Sequence, residues 1–316
     1  MRNSIGNTEI RSDFCALSPM KEPKMNKSIL FLSLLFIWFS ACRSNHENEQ
    51  NPSGEIQLGI SHTVNGNPLV TDTLHYVNAA GNQYLISEIQ WFLSDLKLER
   101  EDGIMVEPTG DMAYYIDTDL PESRSIVLSH LPDGNYRALH FTFGLNEERN
   151  QSGIFVNPPE SFMFWPDYLG GGYHYLKLNG KWINADGLAE PFNFHLGIGQ
   201  EYDSSALKSS YFRPNDCCAA NHCEGYKPPV KMMPVRAFIQ NSFEVILSQS
   251  FAVRQGMKTR LEIEMKVENW FQGRHVYDHN QWGGSIMQQQ AAMKQGLENG
   301  PGVFTLHVTS ISDVAK

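Results

Sequence analysis

From about residue 55 the chain repeats short runs in which apolar and polar positions alternate. In residues 55–63, Ile56, Leu58, Ile60 and His62 fall on one side, the pattern of a half-buried strand. Residues 260–267 form a second strand, and around it Leu261, Ile263, Met265 and Val267 oppose Glu262, Glu264, Lys266 and Glu268. That alternation predicts an antiparallel sheet with one buried and one wet face. Residues 87–99 carry Ile89, Trp91, Leu93, Leu96 and Leu98, with a slip at Ser94-Asp95 that a β-bulge would absorb; a helix is the competing reading. Runs at 126–131 and 136–143 flank Pro132-Asp133-Gly134-Asn135, the composition of a hairpin turn, because proline presets the first turn dihedral and glycine accepts a positive one. Leu139, Phe141 and Phe143 share a face there, which leaves His140 toward solvent. Residues 173–178 predict a strand with His174, Leu176 and Leu178 together, and residues 192–196 one with His195 opposite Phe192, Phe194 and Leu196. Residues 235–247 and 303–308 are further strands, 144–160 and 270–284 are loop, and the Ala-, Met- and Gln-rich residues 286–297 are the one helix. Strands at this spacing, with turn signals between them, predict an all-β fold. The expected architecture is one antiparallel β-sandwich over residues 55–316, with long loops and one short C-terminal helix.

Upstream the pattern changes. Residues 25–41 combine a basic start at Lys27 with an apolar run over 29–39, about half the length a membrane-spanning helix needs. The run ends in Ser40-Ala41-Cys42, which looks like a bacterial lipoprotein cleavage box with Cys42 as the lipidated first residue of the mature chain. Residues 1–24 show no pattern of their own and suit a misassigned start. Residues 42–54, polar and without anything that packs, suit a flexible tether. The expected location is the cell envelope, lipid-anchored, at the outer membrane.

The 316 residues carry 25 Lys and Arg against 35 Asp and Glu, a formal charge of −10, with no basic run after Lys27. Nucleic acid is therefore not an expected partner. Neither a Gly-x-Ser-x-Gly elbow nor a His-Glu-x-x-His pair occurs, and the carboxylates are scattered. The chain is expected to bind rather than to catalyse.

The candidate chemistry concentrates in residues 163–197, where Trp165, the triplet Gly170-Gly171-Gly172, His174 and His195 lie among tyrosines and phenylalanines. One reading is a metal site with an aromatic wall, since imidazole on a strand is held rigidly. The other is an aromatic core containing two hydrogen-bonded histidines. His62 at its strand end is either a third ligand or a structural histidine. The parity of His195, opposite the core residues of its strand, would suit a site at a sheet edge or under a covering loop. His275 and His279 would share a face only if helical, which Gly273, Gly283 and Gly284 oppose. Cys217, Cys218, His222 and Cys223 form a separate cluster within the long irregular stretch 202–231, suited to a local disulfide in an oxidising compartment or to a soft metal.

Several short motifs stand in a fixed order along the chain. These are Trp91-Phe92-Leu93-Ser94-Asp95-Leu96, Leu131-Pro132-Asp133-Gly134-Asn135-Tyr136 with Phe143-Gly144-Leu145-Asn146, and Trp165. Gly171-Gly172-Tyr173, Leu176-Lys177-Leu178-x-Gly180 and His195-Leu196-Gly197 follow. Together they resemble the copper-binding MbnP-like family of periplasmic or lipid-anchored bacterial proteins. The resemblance implies a role in copper acquisition or homeostasis, with copper as Cu(I) or Cu(II) held by histidine beside a tryptophan oxidised to kynurenine. It also implies a partner enzyme of the diheme peroxidase type. Carried over by position, Trp165 is the candidate for oxidation and His195 the best-matched ligand, with His174 and His62 next. The rival expectation is a metal-free surface module for glycans or protein partners, with Trp165, Tyr168 and Tyr173 as a stacking platform.

Overall fold

The computed structural model describes residues 53–203 and 234–313. The leader, Cys42, the tether up to residue 52 and the cluster of Cys217, Cys218, His222 and Cys223 lie outside the described residues.

The described strands are, in chain order, β1 (Ser53–Val64), β2 (Asn67–Pro68), β3 (Tyr76–Val77), β4 (Gln83–Arg100), β5 (Met105–Val106), β6 (Ala113–Asp117), β7 (Ser125–Pro132) and β8 (Gly134–Phe143). They continue with β9 (Leu176–Ile183), β10 (Ala189–Leu196), β11 (Gly199–Tyr202), β12 (Val235–Ile239), β13 (Phe243–Val253), β14 (Met257–Lys266) and β15 (Phe304–Asp313). Helix α1 is a single turn (His279–Trp282) and α2 spans Gln290–Asn299. One sheet runs β15-β14-β1-β2, with β7 also on β1; the larger runs β10-β9-β4-β8-β13, with β3, β5 and β6 also on β4. This is the all-β sandwich that the alternation predicts. Its core lies between the sheets: Ile56, Leu58 and Ile60 from β1, with Leu261 and Ile263 from β14, face Trp91, Leu176, Leu178, Phe192 and Phe194.

Four local expectations are corrected. First, β1 pairs with β14 in parallel, Leu58 opposite Leu261 and Ile60 opposite Ile263. No tight turn joins these strands, so nothing local sets their direction. Second, Pro132–Asn135 does not close a hairpin. β7 pairs with β1 in one sheet, while β8 pairs with β4 and β13 in the other. Ile126, Leu128 and Leu131 on one side of the turn, and Leu139, Phe141 and Phe143 on the other, bury themselves across the core instead of along a common edge. Third, residues 235–247 break into β12 and β13 around buried Asn241, whose amide donates to the Gly197 carbonyl at 2.8 Å. Fourth, the C-terminal helix starts at Gln290, not Ile286. The slip at Ser94-Asp95 is a bulge in a continuous strand. The β4–β8 register shifts between Ser94 and Lys97, and Asp95 takes φ 52°.

The bulge also anchors the next loop. Asp95 accepts from the Asn146 amide at 2.9 Å and pairs with Arg149 at 3.2 Å. Those contacts fix the segment carrying Asn150, whose Oδ1 accepts from the Tyr173 N–H at 2.8 Å. A bulge in β4 is in this way connected to the start of the stretch that holds the histidines.

Candidate metal centre

Residues 163–165 run antiparallel to residues 172–174 as a small covering hairpin. Phe164 bridges Tyr173, the Trp165 N–H donates to the Gly172 carbonyl at 2.8 Å, and the His174 N–H donates to the Met163 carbonyl at 2.6 Å. The turn between them needs left-handed backbone at Gly170, Gly171 and Gly172 (φ 117°, 71° and 79°), where L side chains are strained. At Gly172 a Cβ would also sit 2.3 Å from Asn150 Oδ1. The glycine triplet therefore serves backbone geometry and close approach.

This hairpin lies against the outward face of the larger sheet. His195 alternates with buried Phe194 and Leu196 in β10 and pairs with Lys177 of β9. The Lys177 ammonium in turn donates to the Phe162 carbonyl of the covering segment. The parity of His195 is thus satisfied by a site under a covering loop. His174 does not lie in the strand expected over 173–178. The strand begins at Leu176, and the chain ahead of it leaves the alternation, which brings the His174 ring to 4.9 Å from the His195 ring at an interplanar angle of 86°. Trp165 stands edge-on to His174, ring centroids 4.7 Å apart, with its indole N–H donating to the Leu169 carbonyl at 3.2 Å.

The hydrogen-bond partners assign the imidazole protons. His174 Nδ1 lies 2.9 Å from the Met163 carbonyl oxygen, which only accepts. Nδ1 therefore carries the hydrogen and Nε2 keeps its lone pair. His195 Nε2 lies 2.8 Å from Asn179 Oδ1, so Nε2 carries the hydrogen and Nδ1 the lone pair. Both lone-pair nitrogens, His174 Nε2 and His195 Nδ1, are buried without a partner. Burial drives the His174 ring down to about 4 from the ordinary 6.5, opposed only in part by the Met163 carbonyl. His195 is held well below the ordinary value, by burial first and then by His174 and Lys177. Both rings are neutral at pH 7, the state a metal ligand requires. Two neutral nitrogen donors beside an aromatic wall suit a soft or borderline cation such as copper.

His62 is not part of this arrangement. It points into the core from β1, and its Nε2 accepts the Trp91 indole N–H at 3.2 Å. The ring is neutral, driven to about 4 mainly by burial, so its one hydrogen sits on Nδ1 and no lone pair is left for a metal. No ring contact joins it to His174 or His195 among the described residues. His62 is thus a structural core histidine, a correction to its expected role as a third ligand.

His140 is not solvent-facing either. It is buried between the carboxylates of Glu99 and Glu244, at 3.3 and 3.4 Å. His275 and His279 do not form a pair: His275 bonds Glu298, while His279 is buried among Phe192, Phe271 and Tyr277. Of the expected stacking platform, Trp165 and Tyr173 are buried and only Tyr168 reaches the surface, so the three rings cannot act as one.

Sequence reasoning missed the polar residues behind the pair. Paired positions across the sheet place His195, Lys177, Gln90 and Asp117 in one row on the outward face, with Asn179 and Glu88 in the row beside it. Asn179, Lys177 and Glu88 occupy polar positions in otherwise apolar strands, but alternation gives only their face. Glu88, Asp117 and Asp119 also bring carboxylate oxygens within 4.8 Å of one another. Asp117 is already bonded there by Tyr115, Gln90 and the Asp119 N–H.

The family model described as MbnP matches residues 53–288. The chain belongs to the MbnP family. No curated protein matches the sequence. Among solved structures it is similar to MbnP from Methylosinus trichosporium, at 14% identity and a TM-score of 0.46, over 83% of this chain and 99% of that one. The matched span of the family model contains every motif that carries the resemblance, including Trp165 and His195, and His174 falls within it as well.

Proposed function

We propose that this protein is an extracytoplasmic, lipid-anchored copper-binding protein of copper acquisition or homeostasis. It holds copper through His174 Nε2 and His195 Nδ1 beside Trp165. The observation that carries the reading is the pair of buried, unpartnered imidazole nitrogens on rings 4.9 Å apart. A buried polar atom without a partner costs stability, about 1–3 kcal/mol each, and a bound cation would relieve both. Trp165 is our assignment for the residue oxidised to kynurenine by a partner of the diheme peroxidase type. Oxidative cleavage of the indole C2–C3 bond, with the oxidant activated by that partner supplying the oxygen and C2 leaving as formate after hydrolysis, would leave an aniline nitrogen and a ketone oxygen beside His174. Membership of the family supports these finer assignments, and so does the placement of the indole, edge-on to a ligand ring.

Copper analysis of protein from the native host tests the reading. The wild type should carry about one copper per chain, as two imidazoles and a neighbouring donor allow. His174→Ala and His195→Ala, each folded by circular dichroism, should carry little or none, whereas His62→Ala should keep its copper. Full copper content in both of the first two variants would end the proposal. Peptide mass mapping of Trp165 in the same samples reads the kynurenine assignment, and an unmodified tryptophan in copper-loaded protein would remove it.

A further inference from the structure

We propose that Glu88 and Asn179 form a polarity relay that decides which nitrogen of His195 faces the metal, which makes both of them positioning residues for the copper site. The inference rests on the copper reading above and adds the means by which one ligand is kept in its binding tautomer.

The relay follows from what each group can donate. A carboxylate is acceptor-only when ionised, an amide has one accepting and one donating end, and a neutral imidazole has one nitrogen of each kind. Asn179 Nδ2 donates to Glu88 Oε2 at 3.3 Å, and Asn179 Oδ1 faces His195 Nε2 at 2.8 Å. Turning the amide over would aim its oxygen at the carboxylate, acceptor against acceptor. Glu88 therefore sets the amide, the amide sets His195 Nε2–H, and the lone pair is left on the buried, unpartnered Nδ1. Glu88 is itself held, because Gln90 Nε2 donates to Glu88 Oε1 at 3.0 Å and to Asp117 Oδ2 at 3.1 Å. Three strands carry the relay in register, with Glu88 of β4 opposite Asn179 of β9, and His195 of β10 opposite Lys177 two residues away. All of these side chains share the outward face of the sheet.

The two ligands are oriented differently. His174 takes its tautomer from a backbone carbonyl, that of Met163, which no substitution removes. His195 takes its tautomer from side chains. Substitutions in the relay should disturb one imidazole and leave the other as an internal control. Groups behind a metal ligand typically change metal affinity by about 10–100-fold when altered.

Imidazole 15N NMR of the metal-free full chain reads the tautomers directly, and Cu(I) competition against a chromogenic chelator reads affinity. Wild-type His195 should be protonated at Nε2. Asn179→Leu should leave His195 as a tautomer mixture. Glu88→Gln should raise the Nδ1-protonated form, because a glutamine can donate and lets the Asn179 amide turn over. Asn179→Asp, sharing one proton with Glu88 across the 3.3 Å contact, still offers an acceptor to Nε2 and should keep the wild-type tautomer. His174 should stay protonated at Nδ1 throughout. Cu(I) affinity should fall about 10–100-fold in Asn179→Leu and Glu88→Gln, and less in Asn179→Asp. A wild-type His195 protonated at Nδ1, or an unchanged Nε2-protonated ring in Asn179→Leu, would overturn the relay. A wild type that takes up no Cu(I) overturns the copper reading instead, and does so independently of the tautomers.

Discussion

At the scale of single residues, this protein buries neutral imidazoles. His279 has no exposed surface, neither ring nitrogen has a hydrogen-bond partner, and its nearest ring, Phe192, is 4.4 Å away. Burial drives its ring down to about 4 from 6.5, with Asp278 opposing. The unfolded chain therefore takes up a proton as pH falls through 6.5, while the folded chain does so only near 4. Stability present above that window is lost across it, by up to about 3 kcal/mol for one histidine shifted this far. Replacing His279 with Phe should remove that share. Urea midpoints of the metal-free protein at pH 7 and pH 4 should then differ less in the variant than in the wild type, and an equal difference would contradict the assignment. The apolar and polar content around His279 could be read along the chain, but its burial could not. The glycines at 273, 283 and 284 oppose a helix, yet packing against Phe192, Phe271 and Tyr277 supports a single helical turn at His279–Trp282.

At the scale of elements, the site depends on how closely the covering hairpin approaches the end of β10. Gly197 follows Leu196 directly, and a Cβ on it would lie 2.6 Å from Trp165 Cε3. Gly197→Ala should push the indole away from the strand and from His174, at a cost of about 1–3 kcal/mol for overpacking. The expected result is a lower melting temperature together with a changed Trp165 environment in fluorescence, and a thermally and spectrally unchanged variant would refute it. This contact explains why His195-Leu196-Gly197 works as a unit: one residue supplies the imidazole, the next enters the core, and the third leaves room for the tryptophan. The turn at Pro132–Asn135 teaches the opposite lesson. Its residues do make the chain reverse, but whether the flanking strands pair or arch across the core is decided by which partner each strand finds. β1 was free to take β7, and β4 and β13 enclosed β8.

At the scale of the whole molecule, the sandwich carries the candidate ligand His195 on an outward sheet face, with His174 in the hairpin that covers it, and no helix among the described residues is long and apolar enough to cross a membrane. The lipid anchor proposed at Cys42 has its own test. Cys42→Ala should move the protein from the membrane fraction to the soluble fraction after cell lysis, and retention in the membrane would contradict a lipid anchor. The sequence by itself determined the all-β class, the slip in alternation at Ser94-Asp95 and the family motifs with Trp165 and His195, because alternation, turn chemistry and motif order are local along the chain. Only the tertiary structure decided that β1 and β14 run parallel, that His62 belongs to Trp91 in the core, and that Glu88 and Asn179 stand behind His195. Those facts depend on which strands lie side by side and in what register, and a period of two gives the face of a residue without naming its neighbour across the sheet.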